Sequence, residues 1–370
     1  MFGFYVSIPF TKYEIINLNN NLIIEDNSNI DTSKYVSSLI KEIMLYQNYY
    51  KSNQSIYVGG VDPLSISYDD LEKLLIELSH INNFEYTFEI DPANFDINKI
   101  NLLRKYNVNR ISLKVITFSD ELLKILKKPY KYNDILKIIK TLRKKGFNNI
   151  NIDLNFNIPN QTISHIKFDL LQLKNLNINH VSYYEIDIMK DSILYKQYKN
   201  NNTTNIIDYY EYIVKTLKNY KYEHYEISHF TNNKKYSLQN IIYWTLEEYI
   251  GAGLNAHSFI NNHIKINNSI LNEYLKKPTK EYIKQSKEDN IKNYLFYGLS
   301  QFRGINIKEF KEKYKFDILD NYPKLKYYIE NELLSLNNDI LKLTNKGSLY
   351  SSLILEVFLW DLYLKTMNIF

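Results

Sequence analysis

Near its start the chain reads YVSIPFTKYEIINLNN, from Tyr5 to Asn20. The first half is apolar, as in a strand covered on both faces. Ile8-Pro9-Phe10 then ends it, because proline has no N–H for a ladder and fixes its own φ. The second half, TKYEIINLNN, is polar and Asn-rich, with nothing obviously reactive in it. Parallel α/β folds place ligands at the carboxyl ends of their strands. The loop here stands in that position and is chemically bare.

Working outward, strand-like and helix-period segments alternate. FGFYVSI (2–8) precedes a helical pattern from Thr32 to Tyr50, and SIYVGG (55–60) precedes one over Tyr68–His80. EYTFEID (85–91) leads to Ile97–Tyr106, and NRISLKV (109–115) to Ser119–Lys127 and Asn133–Lys145. NINIDLNF (149–156) leads to Thr162–Leu173, and HVSYYEIDI (180–188) closes the series. Strands separated by helices predict right-handed βαβ units and a parallel sheet. The six units read here fall short of the eight of a closed barrel, so an open partial barrel is expected.

The predicted strand ends carry Ser7-Ile8-Pro9, Gly59-Gly60, Glu89, Asp91-Pro92 and Asp153. Each has an ordinary reading: Asp-Pro as a turn, Gly-Gly as a strand exit, Asp153 as a helix cap. Their recurrence at strand ends points instead to a shared site.

Composition excludes several classes. The chain has 370 residues and a formal net charge of +5, with Lys alternating with Asp and Glu along most helices. That describes a solvated surface rather than a nucleic-acid footprint. No run approaches the roughly 20 apolar residues of a membrane span. MFGFYVSIPF lacks a basic n-region and a cleavage site, so a cytoplasmic protein is expected. Gly is scarce, at nine, where ordinary usage gives roughly 26. Cysteine is absent, which excludes disulfides, thiol nucleophiles and Cys-ligated zinc or iron–sulfur clusters supplied by this chain.

Beyond the series, KQYKNNNTTN (196–205) reads as an exposed connection. A helix over Asp208–Lys218 and a strand YEHYEISHF (222–230) follow, then SLQNIIYWTLEEYIGAGLNAHSF (237–259). From Asp289 the chain turns helical, and NDILKLT before Gly347 and a last helix suggests a winged-helix-like domain. The expected domains are 1–195, 196–285 and 286–370.

In order, IYVGGVDP, FEIDPANFD, NRISLKVITFSDELLKIL, GFNNINIDLNFNIPNQT, HVSYYEIDI, YEISHF, QNIIYW and GAGLNAHS resemble the HemW and oxygen-independent coproporphyrinogen III oxidase branch of the radical SAM proteins. The resemblance runs over about residues 4–360. It implies a partial (β/α)6 barrel with a C-terminal helical, winged-helix-like extension. It also implies S-adenosylmethionine (SAM) bound against a [4Fe–4S] cluster held by a CxxxCxxC loop. One subgroup decarboxylates coproporphyrinogen, whereas HemW-type members look like haem-binding chaperones.

Against the family start YxHIPFCxxxCxYC, this chain has Ser7 in the His place and Thr11, Ile15 and Leu18 in the three Cys places. The family GGGTP becomes Gly59-Gly60-Val61-Asp62-Pro63, and GVQSF becomes Lys114-Val115-Ile116-Thr117-Phe118. In YGLPGQT, Asn157 and Asn160 replace two glycines. Tyr5, Gly59, Gly60, Glu89, Arg110, Ser112 and Asp153 match family positions near SAM and form the expected, vestigial cofactor pocket. His257 in GLNAHS is the candidate haem ligand, its plain alternative being a structural imidazole in a Gly-rich turn.

The expectation is therefore a HemW-like protein of porphyrin and haem metabolism. It would bind haem or another tetrapyrrole, with SAM kept as a second candidate ligand, without a cluster and without a catalytic residue, beside a haem acceptor or scaffold partner and no nucleic acid. The alternatives are a cluster-free scaffold or interaction protein, then an oxidoreductase acting on coproporphyrinogen III.

Overall fold

Six parallel strands run in chain order through one sheet: β1 (Phe2–Ile8), β2 (Ser55–Gly60), β3 (Glu85–Ile90), β4 (Arg110–Ile116), β5 (Asn149–Phe156) and β6 (His180–Glu185). The computed structural model describes residues 1–11, 31–51, 53–186, 188, 196 and 206–358. The crossovers carry α1 (Thr32–Met44), α2 (Tyr68–Leu78), α3 (Ile97–Lys105), α4 (Asp120–Ile125), α5 (Tyr132–Lys144) and α6 (Ile163–Asn175). The first four of these helices begin at side-chain caps. Asp31, Ser67, Asp96 and Ser119 each accept from a backbone N–H of the first turn. This is the α/β, partial (β/α)6 arrangement that the alternation of strands and helices predicts.

Strand geometry sends alternate side chains to opposite faces. On one face Val6, Ile8, Val58, Phe88, Leu113, Ile152 and Leu154 are buried with helix residues such as Leu39, Leu74, Leu103 and Leu142. The opposite, inner face is polar. On β4 it carries Arg110, Ser112 and Lys114, with Ile111, Leu113 and Val115 between them. On β3 it carries Glu85, Thr87 and Glu89, and on β5 Asn151 and Asp153. The helices thus cover an apolar back, while the inner face is built to hold polar groups.

The sheet continues past the six units. β9 (Glu248–Ala252) pairs in parallel with the free side of β1, Tyr5 opposite Gly251. β10 (His257–Ile260), β11 (His263–Asn267) and β12 (Thr279–Lys284) extend it as an antiparallel meander. At the other edge, β8 (His229–Thr231) and β7 (Glu223–Glu226) follow β6. The segment 222–230, expected as one strand, is therefore a hairpin. Glu226 turns its carboxylate back onto Ser228 N at 2.9 Å and His229 Nδ1 at 2.7 Å, reversing the chain without Gly or Pro.

A second core follows, in which Leu295 and Leu299 of the helix Lys287–Ser300 pack with Phe310, Leu325, Tyr328 and Ile354. It includes a three-stranded sheet in the order β13 (Ile305–Asn306), β15 (Ile340–Leu343), β14 (Leu334–Asn337), the winged-helix-like pattern. NDILKLT supplies β15, which pairs back onto β14. This unit joins the barrel extension through Gln301, whose Nε2 donates to Trp244 O at 3.1 Å. None of the described helices is long and apolar enough to cross a membrane.

Candidate functional site at the barrel mouth

The carboxyl ends of β2, β3 and β4 meet around one ammonium group. Lys114 Nζ lies 2.6 Å from Gly60 O, 3.5 Å from Val61 O and 2.7 Å from Glu89 Oε2. Its side chain crosses over β3 to reach β2. Glu89 is held from the other side by Tyr57 OH at 2.7 Å and Gly60 N at 3.1 Å. Gly60 is sterically required, and Gly59 leaves room for the Glu89 carboxylate. Gly60 has φ +120° and a Cβ there would stand 2.5 Å from Ile8 O, while a Cβ on Gly59 would reach the Glu89 carboxylate at 3.0 Å.

Beside this clasp, Asp153 accepts from Ser112 Oγ at 2.9 Å and Asn151 Nδ2 at 2.7 Å. Burial opposes the charged form of Lys114. Glu89, Asp153 and Asp91 outweigh it and hold the ammonium above the ordinary lysine range. Burial and Asp91 also push the Asp62 carboxyl up to about 6, while Asn94 donates to it.

Past the ends of β4–β6 the lining becomes apolar. Ile116, where the family has Gln, takes φ +70° after a register shift between β4 and β5. Its side chain packs with Leu122, Leu126, Ile158 and Ile186. A β-branched residue in that backbone region is strained, and its burial in this cluster offsets the strain. Asn157 and Asn160, in place of family glycines, also have positive φ, at 62° and 60°. Asn tolerates that conformation best among residues bearing a Cβ.

The structure thus brings Gly59, Gly60, Glu89, Ser112 and Asp153 together. Tyr5 lies deeper, its ring 6.1 Å from that of Tyr57. Arg110 does not join them. It sits two inward positions below Lys114 on β4, where its Nε is 3.7 Å from Glu85 Oε2, and Glu85 in turn accepts from Leu238 N at 2.8 Å. His257 lies on β10, two residues from the Phe259–Tyr249 pair and so on the same sheet face as Tyr5. Burial lowers its pKa to about 4, leaving the imidazole neutral near pH 7. Lys114 itself is the residue that sequence reasoning passed over. The period-two pattern Arg-Ile-Ser-Leu-Lys-Val of β4 places it on the inner face.

Sequence and structure comparisons bear on what this mouth descends from. The radical SAM superfamily profile matches residues 27–172, and the HemN C-terminal domain profile matches residues 285–350. A relative named heme chaperone HemW from Lactococcus lactis is 30% identical, covering 96% of this chain and 97% of its own length. The chain belongs to the HemW and coproporphyrinogen oxidase-like radical SAM family. Another HemW, from Bacillus subtilis, is 26% identical over 97% of this chain and 99% of its own. The solved coproporphyrinogen III oxidase HemN from Escherichia coli overlays with a TM-score of 0.82 at 19% identity, covering 96% of this chain and 89% of that one. At that identity the overlay speaks for the fold.

The family implies two groups, and neither fits the residues present. A Cys-ligated cluster has no thiolate in this sequence, and a hydroxyl such as that of Thr11 is a poor ligand for it. Ile15 and Leu18, the other two replacements, lie outside the described residues. Among the described residues, no three His, Asp or Glu side chains gather as a metal site. For SAM, Gly60 and Glu89, at family positions that the resemblance places near the cofactor, have their carbonyl and carboxylate already bonded to Lys114.

Proposed function

We propose that the chain is a HemW-type haem- or tetrapyrrole-binding chaperone that works without a cluster and passes its ligand to an acceptor protein. The observation that carries this reading is the first loop. Thr11, Ile15 and Leu18 stand where three thiolates would, in a chain that keeps the barrel and the C-terminal unit. The names of its relatives, heme chaperones from Lactococcus lactis and Bacillus subtilis, support the ligand class. His257 supports a ligation mode, because a neutral imidazole is the form that binds haem iron.

Haemin titration of the full chain, followed in the Soret region, tests the proposal. The expected result is a saturable shift that weakens by roughly tenfold or more in His257→Ala. No shift in the unaltered chain would end the chaperone reading, whereas a shift unchanged by His257→Ala would remove only that ligand. Anaerobic reconstitution with iron and sulfide is expected to produce no visible cluster absorption. A stoichiometric cluster would overturn the cluster-free reading.

A further inference from the structure

The clasp around Lys114 has the chemistry of an ammonium receptor. A backbone carbonyl, a second carbonyl and a carboxylate converge on one –NH3+ group at 2.6, 3.5 and 2.7 Å. An ammonium has three donors and no acceptor, so these oxygens match it. Their partner comes from the same chain, across an intervening strand. The carboxylate is also fixed independently of the lysine by Tyr57 OH and Gly60 N. It stays oriented whichever ammonium it holds.

We propose that Lys114 is the resident occupant of an ammonium-binding site at the barrel mouth, and that for this reason the chain does not take up SAM there. Three further features fit self-occupation. Lys114 stands in a position where the family pattern has Gly, so the occupying side chain is a replacement in this chain. Ile116, in place of the family's Gln, is turned into the apolar cluster with Leu122, Leu126, Ile158 and Ile186. The first departure fills space at the ends of β2–β4, and the second removes polarity at the ends of β4–β6. Asp153 adds negative potential around the clasp, and Asp91, itself paired with Lys128 at 3.6 Å, adds more, so an empty version would leave Glu89 and Asp153 without their nearest cation, a costly state. The inference is independent of haem binding.

Calorimetry with SAM on the full chain, beside Lys114→Ala and Lys114→Gly, tests it. The unaltered chain is expected to give no binding heat. The variants are expected to bind SAM at least roughly tenfold more tightly than the unaltered chain. In thermal melts at constant ionic strength, Lys114→Ala is expected to melt lower and to be restored by ethylammonium but not by sodium. Saturable SAM binding by the unaltered chain would overturn the proposal. So would a folded Lys114→Ala chain that neither SAM nor ethylammonium stabilises. Should the variants fail to fold, acetylation of the unaltered chain read by mass spectrometry decides. Lys114 is expected to be protected, and labelling as fast as that of exposed Lys313 would overturn the proposal.

Discussion

Two lysines in this sheet are held by carboxylates, and they do different things. Lys265 of β11 meets Glu42 of α1 at 2.8 Å, with side-chain exposures of 3% and 1%. Glu42 also accepts from Asn267 Nδ2, Tyr274 OH and Gly253 N at 2.8, 2.8 and 2.9 Å. Every partner there is structural, and the pair bolts the antiparallel extension to the first helix. Lys114 and Glu89 are 28% and 14% exposed, and the lysine takes a strand-end carbonyl as well. One pair is sealed in the fold. The other sits where solvent, and hence a ligand, can reach it.

The sharpest way to break this contrast is to empty the sealed pair. Glu42→Ala strands a buried ammonium and is expected to cost about 3–5 kcal/mol, read from urea unfolding. A loss no larger than that of Lys114→Ala would erase the distinction. Emptying the open pair by Lys114→Ala leaves Glu89 and Gly60 O short of one donor, at a cost of about 1–3 kcal/mol. Added ethylammonium is expected to recover that loss in Lys114→Ala and to do nothing for Glu42→Ala.

A buried carboxyl without a lysine gives a third reference point. Asp169 accepts from Phe118 N at 2.7 Å and from Thr117, and burial pushes its pKa up to about 7. The folded state therefore holds this proton more tightly than the unfolded chain. Its stabilising contribution is full below about pH 4 and fades as pH rises through about 7. Asp169→Asn is expected to flatten stability across that window in melts taken from pH 4 to pH 8. An unchanged profile would assign the slope to another group. Smallest of all, Lys105 and Glu72 pair at 2.7 Å on the surface, and Lys105→Ala is expected to leave the melting temperature unchanged.

How far the sequence discloses this molecule depends on how local each determinant is. The βα units are legible because strand composition, turn residues and caps such as Ser67 and Asp96 act within a few residues. That the two glycines and Glu89 come together was legible because they fall at strand ends. The place of Lys114 was not, although the alternation along β4 contains it. Arg110 matched the same family motif yet lies two inward positions below Lys114, since a motif match fixes the strand but not the depth. The hairpin at 222–230 was hidden for another reason. Its turn is held by the Glu226 side chain, with no Gly or Pro to mark it.

The pairing of β1 with β9 has a consequence in time. β1 lies between β2 and β9, and Tyr5 meets a partner, Gly251, that is made far later in synthesis. At ordinary elongation rates of about 5–20 residues per second, one side of the first strand waits on the order of tens of seconds for its neighbour. Through that interval its N–H and C=O groups face outward on a strand as apolar as any in the protein, an invitation to pair with another nascent chain. Whatever shields that edge during translation belongs to the assembly of this protein as much as any residue in its finished mouth.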